Sequence, residues 1–165
     1  MTSHTEPIRV LFVCLGNICR SPMAEAVFRD LVRQTGLEGR IEADSAGTYQ
    51  FHIGEPPHLG TQRVLQQHGI VYEHRARIVS PEDGQRFDYI VLLEQSNMAD
   101  VRRMCMNPNA HISMLLDWAP RTGLRDVPDP YYTGGFEQAY ALIEQGCRGL
   151  LRHIIEQEGL RVVTG

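Results

Sequence analysis

Residues 8–31 read IRVLFVCLGNICRSPMAEAVFRDL: an apolar run ends at Cys14, the chain passes through Gly16 and Asn17, and Arg20 arrives just ahead of a helical pattern. The run 8–13 has no polar alternation, which suits a strand covered on both faces. From Ser21-Pro22 onward, Met23, Val27 and Leu31 recur every fourth residue, predicting a helix with Pro22 in its first turn. The stretch CLGNICRS, residues 14–21, is therefore a tight connection between a buried strand and a helix, at the carboxyl end of that strand.

The rest of the chain repeats this alternation. Gly36 and Gly39 end the first helix, and RIEADSAGT, residues 40–48, supplies a second strand over 41–46. GTYQFHIGEPPHLG, residues 47–60, has neither periodicity and reads as an ordered surface loop. A helix over 59–68, a buried strand over 87–93, a helix over 96–105 and a fourth strand over 110–116 follow. After a turn-rich loop, Phe136, Tyr140, Ile143, Cys147, Leu150 and Ile154 form one stripe of a helix over 136–158, in which Gly146 and Gly149 are weak helix formers. Alternating strands and helices predict an α/β fold: a single three-layer domain over 1–165 with a parallel sheet, flanked by helices, that binds ligands beyond the carboxyl ends of its strands. Short disordered tails are expected at about 1–7 and 160–165.

Composition excludes several functions. A chain of 165 residues, 42% hydrophobic and 22% charged, matches one globular core. Its 16 basic and 20 acidic residues give a net charge of −4 without long like-sign runs, which argues against nucleic acid as a partner. No apolar window is long enough for membrane insertion, and MTSHTEPIRV lacks a basic leader or signal segment, so a cytoplasmic location is expected. Four cysteines, Cys14, Cys19, Cys105 and Cys147, are too few and too irregular for a secreted disulfide framework, which leaves thiol chemistry available.

That chemistry converges on the loop after the first strand. A tight turn into a helix aims backbone N–H groups at one point, making an anion cradle at the positive helix end. Gly16 and Asn17 tolerate the left-handed or bridge conformations such a turn needs, and Leu15 and Ile18 are expected to turn away and anchor the loop in the core. Arg20 adds a planar fork that holds two phosphate oxygens. Cys14 at the floor of this electropositive bowl is favoured as a thiolate nucleophile, with the Ser21 hydroxyl donating to its sulfur. Alone, Cys14 would read as a buried strand-end thiol; Arg20 and Ser21 at this spacing reverse that reading. Neither nucleotide-loop pattern, G-x-x-x-x-G-K-[ST] nor G-x-G-x-x-G, occurs. Cys14 and Cys19 lack a second C-x-x-C or paired histidines, so no metal and no cofactor is expected.

Cleaving a phosphate ester through a cysteine requires a proton for the leaving group. VPDPYY, residues 127–132, places Asp129 between two prolines that restrict the local backbone. Asp129 is the candidate general acid, then general base.

VCLGNICRSPMAEAVF (13–28), DSAGT (44–48), HRAR (74–77), FDYI (87–90) and DPYY (129–132), in this order, resemble the low-molecular-weight protein tyrosine phosphatase family over about 8–155. The resemblance implies a four-stranded parallel sheet with a phosphate-binding loop of Leu15, Gly16, Asn17, Ile18, Cys19, Arg20 and Ser21. It implies the roles already assigned to Cys14, Arg20 and Asp129, and makes Asn17, Ser21, Ser45 and His74 hydrogen-bonding supports of the loop. Tyr131 and Tyr132 match one aromatic wall of the slot and Phe51 the opposite one. Such walls favour phosphotyrosine, because only a long flat side chain reaches a recessed sulfur, whereas phosphoserine is too short.

Alternatives on the same scaffold are a protein arginine phosphatase, which resembles this chain but carries threonine where Ile18 sits and lacks the paired tyrosines, and an arsenate reductase, whose two further cysteines FDYIVLLEQSN lacks. A non-catalytic phosphotyrosine-binding module is the remaining one. LLEQSN, residues 92–97, departs from the family's usual Met-Asp-x-Ser-Asn, and His58 stands where relatives commonly show Asp; both are expected to leave the catalytic set untouched. Cys19 is the candidate redox partner of Cys14, with a small apolar filler as the other reading. Phosphotyrosine-containing proteins are the implied partners, a bacterial tyrosine kinase among them by analogy.

Overall fold

The computed structural model describes residues 6–105 and 108–162; the expected tails at 1–5 and 163–165 lie outside the described residues. In chain order the elements are β1 (Ile8–Cys14), α1 (Arg20–Gln34), β2 (Ile41–Gly47), α2 (Leu59–Gln67), α3 (Asp83–Arg86), β3 (Tyr89–Leu92), α4 (Asn97–Met104), β4 (His111–Met114), α5 (Pro130–Thr133) and α6 (Phe136–Glu158). Two 3-10 turns, Leu115–Trp118 and Pro120–Thr122, precede α5.

The four strands form one parallel sheet in the order β2-β1-β3-β4. Val10, Leu11, Phe12 and Val13 of β1 have no exposed surface, as expected of a central strand covered on both faces. Alternation then sorts its side chains into two cores. Val10, Phe12 and Cys14 join α1 and α6, with Phe12 edge-on to Phe28 at 5.4 Å between ring centroids. Leu11 and Val13 join Ile90, Leu92, Val101 and Met114 on the other face. The chain leaves β1 for β2 on one side and later returns to β3 on the other, so the order reverses beside β1, and the crevice at that switch point opens beyond Cys14.

Four expectations change. β4 ends at Met114, short of 116, because the Asp117 carboxylate accepts the Met114 N–H at 3.0 Å and starts a 3-10 turn. β3 spans four residues instead of seven; Phe87 N–H is drawn to the Asp83 carbonyl of α3 (3.1 Å), a one-turn helix without sequence periodicity. Gly146 and Gly149 do not interrupt α6: a Cβ at either would collide with Leu115 or with the Trp118 backbone, so the missing side chains let α6 lie on the turn after β4. Leu160, expected in a disordered tail, packs partly buried against the core. Among the described residues no helix is long and apolar enough to cross a membrane.

Candidate active site

Cys14 is the last residue of β1 and is buried, its sulfur at the floor of an opening of about 450 Å³. The loop beneath is set by Asn17, which takes φ +57°, the left-handed region that a short amide tolerates. Its N–H reaches Cys14 Sγ at 3.3 Å. Gly16, Ile18, Cys19, Arg20 and Ser21 give their N–H groups to no backbone carbonyl among the described residues. The first turn of α1 thus presents unsatisfied donors at the same point as the strand end. Gly47 of β2 closes the back of the loop; a Cβ there would meet the Leu15 carbonyl at 2.7 Å.

A buried polar chain holds the loop and fixes the direction of its protons. Asn17 Nδ2 donates to Ser21 Oγ at 2.8 Å and to Ser45 Oγ at 3.0 Å, while its Oδ1 accepts from His74 Nε2 at 2.7 Å and from Arg77 N–H at 3.0 Å. Ser45 Oγ donates onward to Glu25 Oε1 at 2.8 Å, an oxygen that also accepts from the Tyr72 hydroxyl at 2.7 Å. Ser21 Oγ accepts from Asn17 and has two acceptors for its own hydrogen, Cys14 Sγ at 3.0 Å and the Ala46 carbonyl at a longer 3.5 Å. Burial pushes the Glu25 carboxyl up, with the Tyr72 and Ser45 hydrogen bonds opposing that shift. Of the expected supports, Ser21, Asn17, Ser45 and His74 meet in this one network. Glu25 and Tyr72 complete it and were not singled out in the sequence.

Arg20 opens α1 and is almost wholly buried. Its Nη1 donates to the Val127 carbonyl at 3.0 Å, and its Nη2 to Glu94 Oε1 at 2.8 Å and Asp129 Oδ2 at 3.2 Å. Nε has no hydrogen-bond partner among the described residues. Burial works against the guanidinium charge, but Cys14, Glu94 and Asp129 outweigh it and hold the pKa above its ordinary value. The departure at Glu94 therefore does touch this set, a correction to the expectation above. Its signal was position: it lies two residues beyond β3, on the ligand side of a parallel sheet.

Asp129 comes from the other side of the opening. It caps the N-terminus of α5, its Oδ1 accepting Tyr131 N–H at 3.1 Å, so one four-residue helix carries both the carboxylate and the tyrosine wall. Tyr131 and Tyr132 meet edge-on at 5.2 Å between centroids. Phe51 faces the opening from the 47–60 loop and packs edge-on with Tyr49 at 4.7 Å. Tyr49, His52 and Glu55 share that border; a loop without periodicity carries no sequence signal for them.

Leu15 departs from expectation. It is partly exposed at the mouth, whereas Ile18 is buried with Cys19 and Ala76. Burial first, then the nearby negative charge of Asp129 and Cys14, pushes the Cys19 thiol up to about 12, with Arg20 opposing. His58 anchors rather than reads the rim: its Nδ1 accepts Gly60 N–H at 2.9 Å as the cap of α2, and its ring stacks on Phe136 at 5.0 Å.

Known proteins resemble this chain in sequence and fold. A family model described as low molecular weight phosphotyrosine protein phosphatase matches residues 9–160. Low molecular weight protein-tyrosine-phosphatase YfkJ of Bacillus subtilis is 53% identical over 155 residues, covering 93% of this chain and 99% of that protein. The crystal structure of YfkJ superposes with a TM-score of 0.90, covering 94% of this chain and 99% of that one at 51% identity. The crystal structure of DARP, a drosophila arginine phosphatase, superposes with a TM-score of 0.83 at 36% identity, covering 88% of this chain and 97% of that one.

Proposed function

We infer the roles of individual residues from one premise: the chain belongs to the low molecular weight phosphotyrosine protein phosphatase family, and it is a protein-tyrosine phosphatase acting on phosphotyrosine-containing proteins. In this reading the domain binds the phosphate dianion in the 14–21 loop, against free backbone N–H groups and Arg20. Cys14 attacks phosphorus as a thiolate, in line with the departing tyrosine oxygen. Asp129 gives that oxygen its proton, so tyrosine leaves neutral and phosphate stays bonded to sulfur. The same carboxylate then takes a proton from a water molecule that attacks phosphorus, releasing inorganic phosphate and the thiolate. Ser21, donating to the sulfur, stabilises the anion at rest and as the leaving group.

The single observation that supports these roles is that the Ser21 hydroxyl and the Asn17 N–H both lie within 3.3 Å of Cys14 Sγ, in an opening that Arg20 and Asp129 also border. For the substrate, Phe51 and the Tyr131–Tyr132 pair favour a flat aromatic ring, and Ile18 with DPYY favours tyrosine over arginine. A bacterial tyrosine kinase as the physiological substrate and a cytoplasmic location belong to the same proposal. The test is turnover by the purified protein of phosphotyrosine, phosphoarginine and arsenate, beside Cys14→Ser. Phosphotyrosine is expected to be the best substrate, with Cys14→Ser slower by on the order of 10⁴-fold or more. Equal turnover by the parent and Cys14→Ser would refute the covalent route; preference for phosphoarginine or arsenate would refute the substrate.

A further inference from the structure

We propose that Glu55, held in place by His52, is a specificity determinant that selects substrates with a basic residue beside the phosphotyrosine, an inference that rests on the phosphotyrosine reading of the slot. Glu55 and His52 both border the opening, and Glu55 is the more exposed, 54% against 27% for the side chains. His52 Nδ1 lies 2.7 Å from Glu55 Oε2. As a ring N–H donor to the carboxylate, the imidazole fixes where the Glu55 charge sits.

The pair stands on a rigid base. Glu55 N–H closes a turn onto the His52 carbonyl at 2.9 Å, Gly54 N–H donates to the Ala76 carbonyl at 2.8 Å, and Ala76 N–H returns to the Glu55 carbonyl at 2.8 Å. The His52 ring packs on the phosphate loop, where a Cβ at Gly16 would meet its Cδ2 at 3.1 Å. Tyr131 lies on its other side, tilted 56° with centroids 6.1 Å apart. His52, next to Phe51 in the chain and in ring contact with Tyr131, therefore links the two aromatic walls, and Glu55 borders the opening beside it.

Charge decides what that carboxylate does. Among the described residues bordering the opening, the permanently charged cation is Arg20, which is buried at the floor and engaged by Glu94 and Asp129. Arg75 donates to the Gly54 carbonyl at 3.3 Å but borders a separate depression with Pro56, Pro57 and Tyr72. The phosphate goes to the floor; the rim meets the peptide on either side of the phosphotyrosine. There Glu55 attracts Lys or Arg and repels Asp or Glu.

The test compares kcat/KM for two matched phosphotyrosine peptides, one with Lys and one with Glu beside the phosphotyrosine, within the parent and within Glu55→Gln and Glu55→Lys. Partly exposed charges support a preference of about fivefold for the Lys peptide in the parent. The ratio is expected to approach one in Glu55→Gln, to invert in Glu55→Lys and to shrink as salt is raised. A parent ratio of one, or a ratio that Glu55→Lys leaves unchanged, overturns the role of Glu55. Failure of the parent to hydrolyse either peptide overturns the phosphotyrosine reading instead. Because the ratio is taken within each protein, a variant that loses overall activity still reports it.

Discussion

The phosphate loop and the slot's rim border one opening, yet they are built in opposite ways. In the loop Asn17, Arg20 and Ser21 are 1%, 2% and 0% exposed, and Asn17 alone joins Cys14, Ser21, Ser45, His74 and Arg77. On the rim Phe51 and Tyr132 are 75% and 77% exposed and are held chiefly by their neighbouring rings. Phosphoryl transfer depends on sub-ångström placement, which a buried and mutually satisfied network supplies. Recognition of a protein surface needs reach and tolerance, which exposed aromatic rings supply. Asp129 belongs to both regions: its carboxylate contacts Arg20, and its backbone starts the helix that carries the tyrosines.

That double membership makes the largest test. Asp129→Ala is expected to lower kcat by roughly 10²–10⁴-fold for substrates with poor leaving groups. Nitrophenyl phosphate, whose leaving group needs little protonation, should be affected less. If both fall equally, Asp129 serves the rim and not the chemistry, and the contrast between the regions breaks.

Next in size is Asn17→Ala, which removes the shared partner of the loop's supports and also forces alanine into a left-handed backbone. It is expected to cost about 1–3 kcal/mol of stability from buried groups left unpaired, read as a melting temperature lower by roughly 2–12 °C, together with a fall in kcat. Phe51→Ala should do neither. Losing one exposed aromatic contact is expected to raise KM for a phosphotyrosine peptide by about threefold to tenfold, with kcat and melting temperature unchanged. A stability loss in Phe51→Ala would show that the rim supports the fold.

The smallest test separates two cysteines inside one loop. With its pKa raised to about 12, the Cys19 thiol stays protonated and unreactive at neutral pH, and only above that value does it become the thiolate. Iodoacetate at pH 7 is expected to label Cys14 first, with inorganic phosphate protecting it, and peptide mapping should find Cys19 unmodified in the inactivated protein. Early labelling of Cys19 would favour its part as a redox partner over that of a filler beside Ile18 and Ala76.

Much of this architecture was legible in the chain because it rests on local patterns. An unbroken apolar run such as 10–13 requires burial on both faces, and the four-residue spacing from Met23 requires a helix, whatever else surrounds them. The stripe from Phe136 to Ile154 survived its two glycines for a reason no propensity carries: both glycines lie where the Leu115–Trp118 turn presses on α6. α3 and α5 were invisible because a single helical turn has no period to detect.

Residues 14–21 by themselves determined the cradle, since a cysteine, a left-handed asparagine, an arginine and a serine at that spacing are dictated by backbone geometry within eight positions. Only the tertiary structure decided which distant groups complete it. Glu94 and Val127 reach Arg20 from two other segments, Ser45 of β2 links the loop to Glu25 and so to Tyr72, and Leu15 faces the mouth rather than the core. The physical reason is range. Covalent spacing governs contacts within a turn or two, whereas partners dozens of residues apart meet only after the sheet order β2-β1-β3-β4 has brought the strand ends side by side.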